Sequence, residues 1–129
     1  MRFELTRRPS DSEKCTGHTL GDLERHLELL PDGEQFQLWM FKEDGESACC
    51  LCNRTRAWLT IMHKTGDNSL SLDSGFVGDE NEVEEILLEN GQLDEMPRRY
   101  CIARREGIRA AVYYFRQGVR APFISWASS

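Results

Sequence analysis

The sequence predicts an α+β domain: a mostly antiparallel β-sheet with two helices packed on one face. Three observations carry this. Residues 34–74 hold a run of short period-two segments separated by turn chemistry. Two segments with helical periodicity flank that run, one at residues 19–30 and one at residues 104–117. The resulting order of strand, helix, several strands, helix and strand fits helices segregated to one side of a sheet. A chain of 129 residues is a single domain, 1–129, long enough to bury its own core.

Residues 1–5 read as a first strand, with Phe3 and Leu5 alternating against charged neighbours, and residues 7–15, polar and containing Pro9, read as a loop. Thr19 is placed as an N-cap with Asp22 three residues on, where an acid favours the positive end of the helix. Leu20, Leu23, Leu27 and Leu30 make that helix's apolar stripe, and Pro31-Asp32-Gly33 ends it. In the next strand Phe36, Leu38 and Met40 form one face, and Gln37, Trp39 and Phe41 the other. Turns at residues 43–46, 53–56 and 64–68 separate strands at 47–53, 57–63 and 69–74.

Residues 82–89 suit either period, because Val83, Ile86 and Leu87 would also lie along a helix. Asn90-Gly91 favours a hairpin, since both residues accept the positive φ of a tight turn. Near the C-terminus Ile108, Ala111, Val112 and Phe115 form a helical stripe, Gly118 supplies the C-cap, and Phe123, Ile124 and Trp126 read as a terminal strand.

Composition excludes several functions. Hydrophobic residues make up 40% and charged residues 29%, ordinary values for a folded soluble chain. The N-terminal residues lack the apolar run of a signal peptide, no stretch of about 18 uncharged apolar residues occurs, and five cysteines make an odd count. The expectation is a cytoplasmic protein with reduced thiols and no membrane partner. Charge is segregated. Residues 79–95 carry eight acids and no base, and residues 98–120 carry seven arginines against Glu106 alone, within a net charge of −6. The two segments either pair with each other in the fold or offer an acidic surface to a basic partner. Direct nucleic-acid binding is not expected, because the net charge opposes approach to a polyanion.

No motif assembles an active site or a cofactor site. Cys49, Cys50 and Cys52 are the densest reactive cluster, but strand alternation sends Cys50 and Cys52 to one face and Cys49 to the other, and no second pair completes a zinc set. The same cysteines read simply as small apolar residues of a buried strand. His26 lies off the leucine stripe and reads as solvated; His63 ends a strand, a position open to a cysteine close in space. Neither a phosphate loop nor a calcium loop appears.

The second half of the chain resembles the immunity proteins of bacterial polymorphic toxin systems, specifically immunity protein family 1. The resemblance covers residues 68–126, and its pieces come in the family's order: Ser69-Leu70-Ser71-Leu72, a glycine-rich turn, an acidic strand closed by Asn90-Gly91, the link Met96-Pro97, an alanine-rich helix, and Gly118 with Pro122 ahead of Ile124-Ser125-Trp126. The Gly-x-x-x-Pro-x-x-x-Trp ending is the most specific. The cysteine-rich middle strands and Gly107 inside the helix depart from the pattern. The resemblance implies a protein without catalysis of its own, which binds a toxin made by the same cell, often a nucleic-acid deaminase and less commonly a nuclease, and occludes its active site or substrate groove. An acidic hairpin complements the basic groove such a toxin needs. The expected partner-binding residues are Asp73, Asp79, Glu80, Glu82, Glu84, Glu85 and Glu89, with Trp39 and Phe41 as aromatic anchors unless these two are buried under a helix. No cofactor and no metal is expected. The competing expectations are a thiol enzyme or metal-binding protein built on Cys49, Cys50 and Cys52, and a general protein-interaction adaptor.

Overall fold

A computed structural model describes residues 1–7, 13–88 and 90–128. The fold is α+β, with every strand pairing antiparallel. In chain order the described elements are β1 (Arg2–Arg7), β2 (Glu13–Gly17), α1 (Leu20–Glu28), β3 (Phe36–Phe41), β4 (Ser47–Cys52), β5 (Arg56–Met62), β6 (Asn68–Leu72), β7 (Val83–Leu87), β8 (Leu93–Pro97), β9 (Cys101–Ala103), α2 (Arg104–Gln117) and β10 (Ser125–Ser128). Eight strands form one sheet in the order β10-β6-β5-β4-β3-β1-β2, with β9 beside β6 along the same edge of β5, while β7 and β8 make a separate hairpin. No described helix is long and apolar enough to cross a membrane.

The central meander follows from side-chain alternation. Phe36, Leu38 and Met40 on β3, Ala48, Cys50 and Cys52 on β4, and Ala57, Leu59 and Ile61 on β5 all point to the inner face and are buried there. Both helices cover that face. α1 begins where Thr19 Oγ1 accepts the Asp22 N–H at 3.1 Å, and buries Leu23 completely. α2 ends at Gly118, whose φ of 74° is the left-handed C-cap that glycine adopts without strain.

The buried stripe of α2 differs from the expected one. Gly107, Ala110, Ala111, Tyr114 and Phe115 are buried, whereas Ile108 and Val112 are only half-buried. The helix is turned so that its smallest residues meet the sheet, bringing its axis close. An ideal Cβ on Gly107 would stand 2.2 Å from Ala57 Cβ, so β5 is approached more closely than any side chain at 107 allows.

Three further expectations change. Residues 13–17 form edge strand β2 on β1 rather than loop, while residues 8–12 of that expected loop lie outside the described set. An edge strand needs no apolar face, and its charged sequence hides it from period-two reading. The terminal strand starts at Ser125, opposite Leu72, so Phe123 lies before it and packs edge-on against Tyr113 at 5.8 Å. His26 is half-buried against Phe3, centroids 6.1 Å apart, rather than solvated.

Candidate partner-binding surface

The outer face of the sheet is built by the same alternation. Three rows cross β3, β4 and β5: Gln37, Leu51 and Trp58; Trp39, Cys49 and Thr60; Phe41, Ser47 and Met62. No described helix covers them. The β7–β8 hairpin folds over part of this face instead, and fully buried Ile86 packs with Leu88 and Met96 against Cys49 and Leu51 as a second, smaller core. Polar contacts fix its seat: Asn53 Nδ2 donates to the Glu85 carbonyl at 3.1 Å and the Arg98 N–H donates to the Glu82 carbonyl at 2.8 Å. Beyond the hairpin's reach a groove of about 690 Å3 remains, walled by Trp39, Trp58 and Met62, floored by Cys49 and Leu51, and closed at one side by Leu88 and Asn90 of the hairpin tip. Gln37 and Thr60 supply polar atoms there.

The hairpin's register decides which acids face outward. Glu84 pairs across to Met96 and Ile86 to Asp94, whereas Glu85 stands directly opposite Glu95. Like charges in cross-strand positions destabilise a hairpin. Around them Val83 is 45% and Leu93 57% exposed, so the outward side is both apolar and acidic.

The expected contact residues separate into groups. Asp73 and Glu84 serve the fold: Arg98 reaches Asp73 at 3.5 Å and Glu84 at 4.0 Å, Arg56 lies 3.9 Å from Asp73, and Asp73 accepts the Gly75 N–H. Asp79 and Glu82 organise the turn before β7, Asp79 accepting the Asn81 N–H and Glu82 accepting the Asp79 N–H, while both stay exposed. Glu80 and Glu85 are exposed, and Glu89 lies outside the described residues. Trp39 is half-buried in the groove wall, stacked on Phe41 with ring centroids 6.1 Å apart. Phe41 lies outside the groove, its ring beneath the Arg2 guanidinium at 4.4 Å. The alternative reading, in which a helix buries these two aromatics, does not hold: the two described helices pack on the opposite face.

The sequence reading missed Asp94, Glu95, Trp58 and Met62. The alternation Arg56, Trp58, Thr60, Met62 is visible in the sequence and points outward once Ala57 and Leu59 are placed inward. Asp94 and Glu95 join the acidic surface only through the hairpin register.

The arginine segment does not pair with the acidic hairpin as a body. Arg98 alone does so among the described residues. Arg109 binds Glu106 at 3.1 Å and lies over Phe123, Arg116 lies over Tyr113, and one Arg104 Nη donates to the carbonyls of Glu34 and Asn53 at 2.7 Å each. The sheet separates α2 from the hairpin.

The cysteines do not converge. All five are free, Cys50 and Cys52 Sγ lie 3.8 Å apart on the inner face, and Cys49 is on the outer one. Burial pushes the Cys49 and Cys52 thiols well up, and burial with the nearby Glu84 charge pushes Cys101 up to about 12. A nucleophilic thiol needs the opposite shift. Among the described residues no group of three metal-ligating side chains forms.

His63 meets no cysteine. Its Nδ1 is 3.0 Å from Glu46 Oε2 and its Nε2 2.9 Å from Ser69 Oγ, while Tyr114 donates to Glu46 Oε1 at 2.8 Å and Lys42 Nζ lies 3.4 Å from the same oxygen. The order serine, histidine, carboxylate is that of a hydrolase triad, but Ser69 is only 4% exposed, and the network serves to tie β6 through His63 and Glu46 to Tyr114 of α2. No protein-family model matches the chain, and no curated protein matches it either.

Proposed function

We propose that this protein is an immunity-type inhibitor that binds a cognate bacterial toxin domain through its acidic hairpin and the adjoining outer sheet face, blocking the toxin's access to substrate. The observation that supports this most is the state of the hairpin's carboxylates. Asp79, Glu80, Glu82, Glu85, Asp94 and Glu95 are exposed, and none has a basic partner within ion-pair distance among the described residues. Opposing Glu85 to Glu95 costs folding stability, and a cationic partner turns that cost into attraction. A toxin that acts on nucleic acid carries a basic substrate groove, which is why a nucleic-acid deaminase is the first candidate and a nuclease the second.

The thiol and metal readings draw no support from Cys49, Cys50 and Cys52, which are buried and split between the two sheet faces. The test is co-expression with a toxin domain encoded beside this chain's gene, read by survival and by a one-to-one complex in size-exclusion chromatography. Reversing Glu80, Glu82, Glu85 and Glu95 together to lysine is expected to weaken association by about tenfold or more, mainly through the on-rate. Affinity that survives this reversal removes the acidic interface from the reading, and absence of both complex and rescue removes the immunity role.

A further inference from the structure

We infer that the groove between the hairpin tip and the outer sheet face is the socket for one segment of a basic protein partner, an apolar stretch with an aromatic or long aliphatic side chain at its centre and lysine or arginine on its flanks. This rests on the inhibitor reading and names what the surface recognises. At about 690 Å3 the groove falls within the ~300–1,000 Å3 range of sites that engulf a drug-sized group. Its walls hold two indoles, and tryptophan anchors binding energy at protein interfaces more than most residues. Among the described residues none of its lining side chains is charged, so an ion seated there would lose its hydration and find no counter-ion among them.

Charge lies beside the groove, on the hairpin that contributes Leu88 and Asn90 to one wall and carries Glu85, Asp94 and Glu95 exposed on its two strands. The surface therefore joins an uncharged aromatic groove to an anionic hairpin, and the complementary segment joins an apolar centre to cationic flanks.

The chain's tryptophans provide the assay. Trp39 and Trp58 face the groove, whereas Trp126 packs on the inner face with its indole N–H donating to the Ala121 carbonyl at 2.9 Å. Indole N–H resonances of labelled protein are followed during titration with the peptide Lys-Lys-Trp-Leu-Lys-Lys, with an acid-flanked Glu-Glu-Trp-Leu-Glu-Glu, and with a core-free Lys-Lys-Ser-Ser-Lys-Lys. The expected result is saturable movement of Trp39 and Trp58 but not Trp126 with the first peptide, and binding at least about tenfold weaker for the other two. Asn90→Asp, which keeps an oxygen to accept the Gln92 N–H and adds a negative charge at the exposed hairpin tip, is expected to tighten the first peptide and weaken the acid-flanked one. Equal binding of the core-free or the acid-flanked peptide, or no response to any, overturns the proposal. So do indole shifts that follow protein concentration without peptide, which would mean that a second copy fills the groove. Rescue from a toxin without any peptide response sinks the socket and leaves the inhibitor reading standing; peptide capture without complex or rescue does the reverse.

Discussion

Replacing Gly107 with alanine tests whether close approach of α2 to β5 sets the packing of the inner face. The added methyl carbon would stand 2.2 Å from Ala57 Cβ, 3.7 Å from Ala57 Cα and 3.9 Å from Ile102 Cγ1. Carbon atoms attract best at about 3.5–4.0 Å, so the first contact overlaps by roughly 1.5 Å. Ala57 has no flexible end to swing aside, and the helix itself must lift. Lifting it loosens Ala110, Ala111, Tyr114 and Phe115 together, all of which α2 buries. Overpacking of this kind costs about 1–3 kcal/mol, with the rigid neighbour placing it toward the upper end. Against it stands the intrinsic gain of alanine over glycine inside a helix, about 1 kcal/mol. The net expectation is a loss of about 1–2 kcal/mol, seen as a fall in Tm of roughly 4–8 °C and a lower urea midpoint at unchanged slope. Gly21→Ala in α1 is the internal control, because nothing lies within 4 Å of its Cβ position, and it should hold or raise stability. Adding Ala57→Gly to Gly107→Ala removes the opposing methyl and should recover about 1 kcal/mol as a coupling term. A Gly107→Ala protein as stable as the parent, or more stable, refutes the close-approach argument.

Burial alone would raise the Glu46 carboxyl, but hydrogen bonds from His63 and Tyr114 and the nearby Lys42 charge outweigh it and hold the group below its ordinary value of 4.5. Stability from this network is therefore complete above that value and lost below it, as pH falls through the lower value the folded state imposes; Glu46→Gln should flatten the acid limb of an unfolding-midpoint-versus-pH curve. Tyr114→Phe removes a buried donor to that carboxylate and should lower stability by about 1.5–3 kcal/mol in urea unfolding. Thiol titration of the native protein should find one group that reacts before unfolding, half-buried Cys15, slowed because burial pushes its thiol up, with the other four of the five cysteines reacting only on unfolding. Arg104→Ala removes the nitrogen that donates to both the Glu34 and Asn53 carbonyls and should destabilise by about 2 kcal/mol; lysine should restore only part of this, since it has no planar guanidinium to lie over the Phe36 ring, 5.2 Å away.

The elements that the sequence made legible are those whose signal is local. Thr19 caps α1 because its hydroxyl needs only the N–H of Asp22, and Asn90-Gly91 marks the β7–β8 turn, Gly91 taking a φ of 82°. Phe36, Leu38 and Met40 announce the inner face of β3 by alternation alone. Strand β2 was illegible because an edge strand of Glu13, Lys14, Cys15, Thr16 and Gly17 has no apolar face to betray it. The rotation of α2 was illegible for a different reason: Ile108 and Val112 are the more hydrophobic choices, but Gly107 and Ala110 are the ones small enough to let the helix down onto β5.

The candidate site divides along the same line. The sequence by itself determined that an acidic run leads into an Asn90-Gly91 turn, which favours a hairpin over a helix at residues 82–89, that Trp39 shares a strand face with Gln37 and Phe41, and that Cys49 points away from Cys50 and Cys52, since charge runs, turn residues and period-two alternation are properties of neighbouring residues. Only the tertiary structure decided that the hairpin lies on the outer face and the arginine helix on the inner one, that Asp73 and Glu84 are taken up by Arg98, and that Trp58 joins Trp39 around an open groove. Those outcomes depend on contacts between residues far apart in sequence, such as Asn53 with Glu85, and a one-dimensional pattern of hydrophobicity and charge does not record which distant surfaces meet.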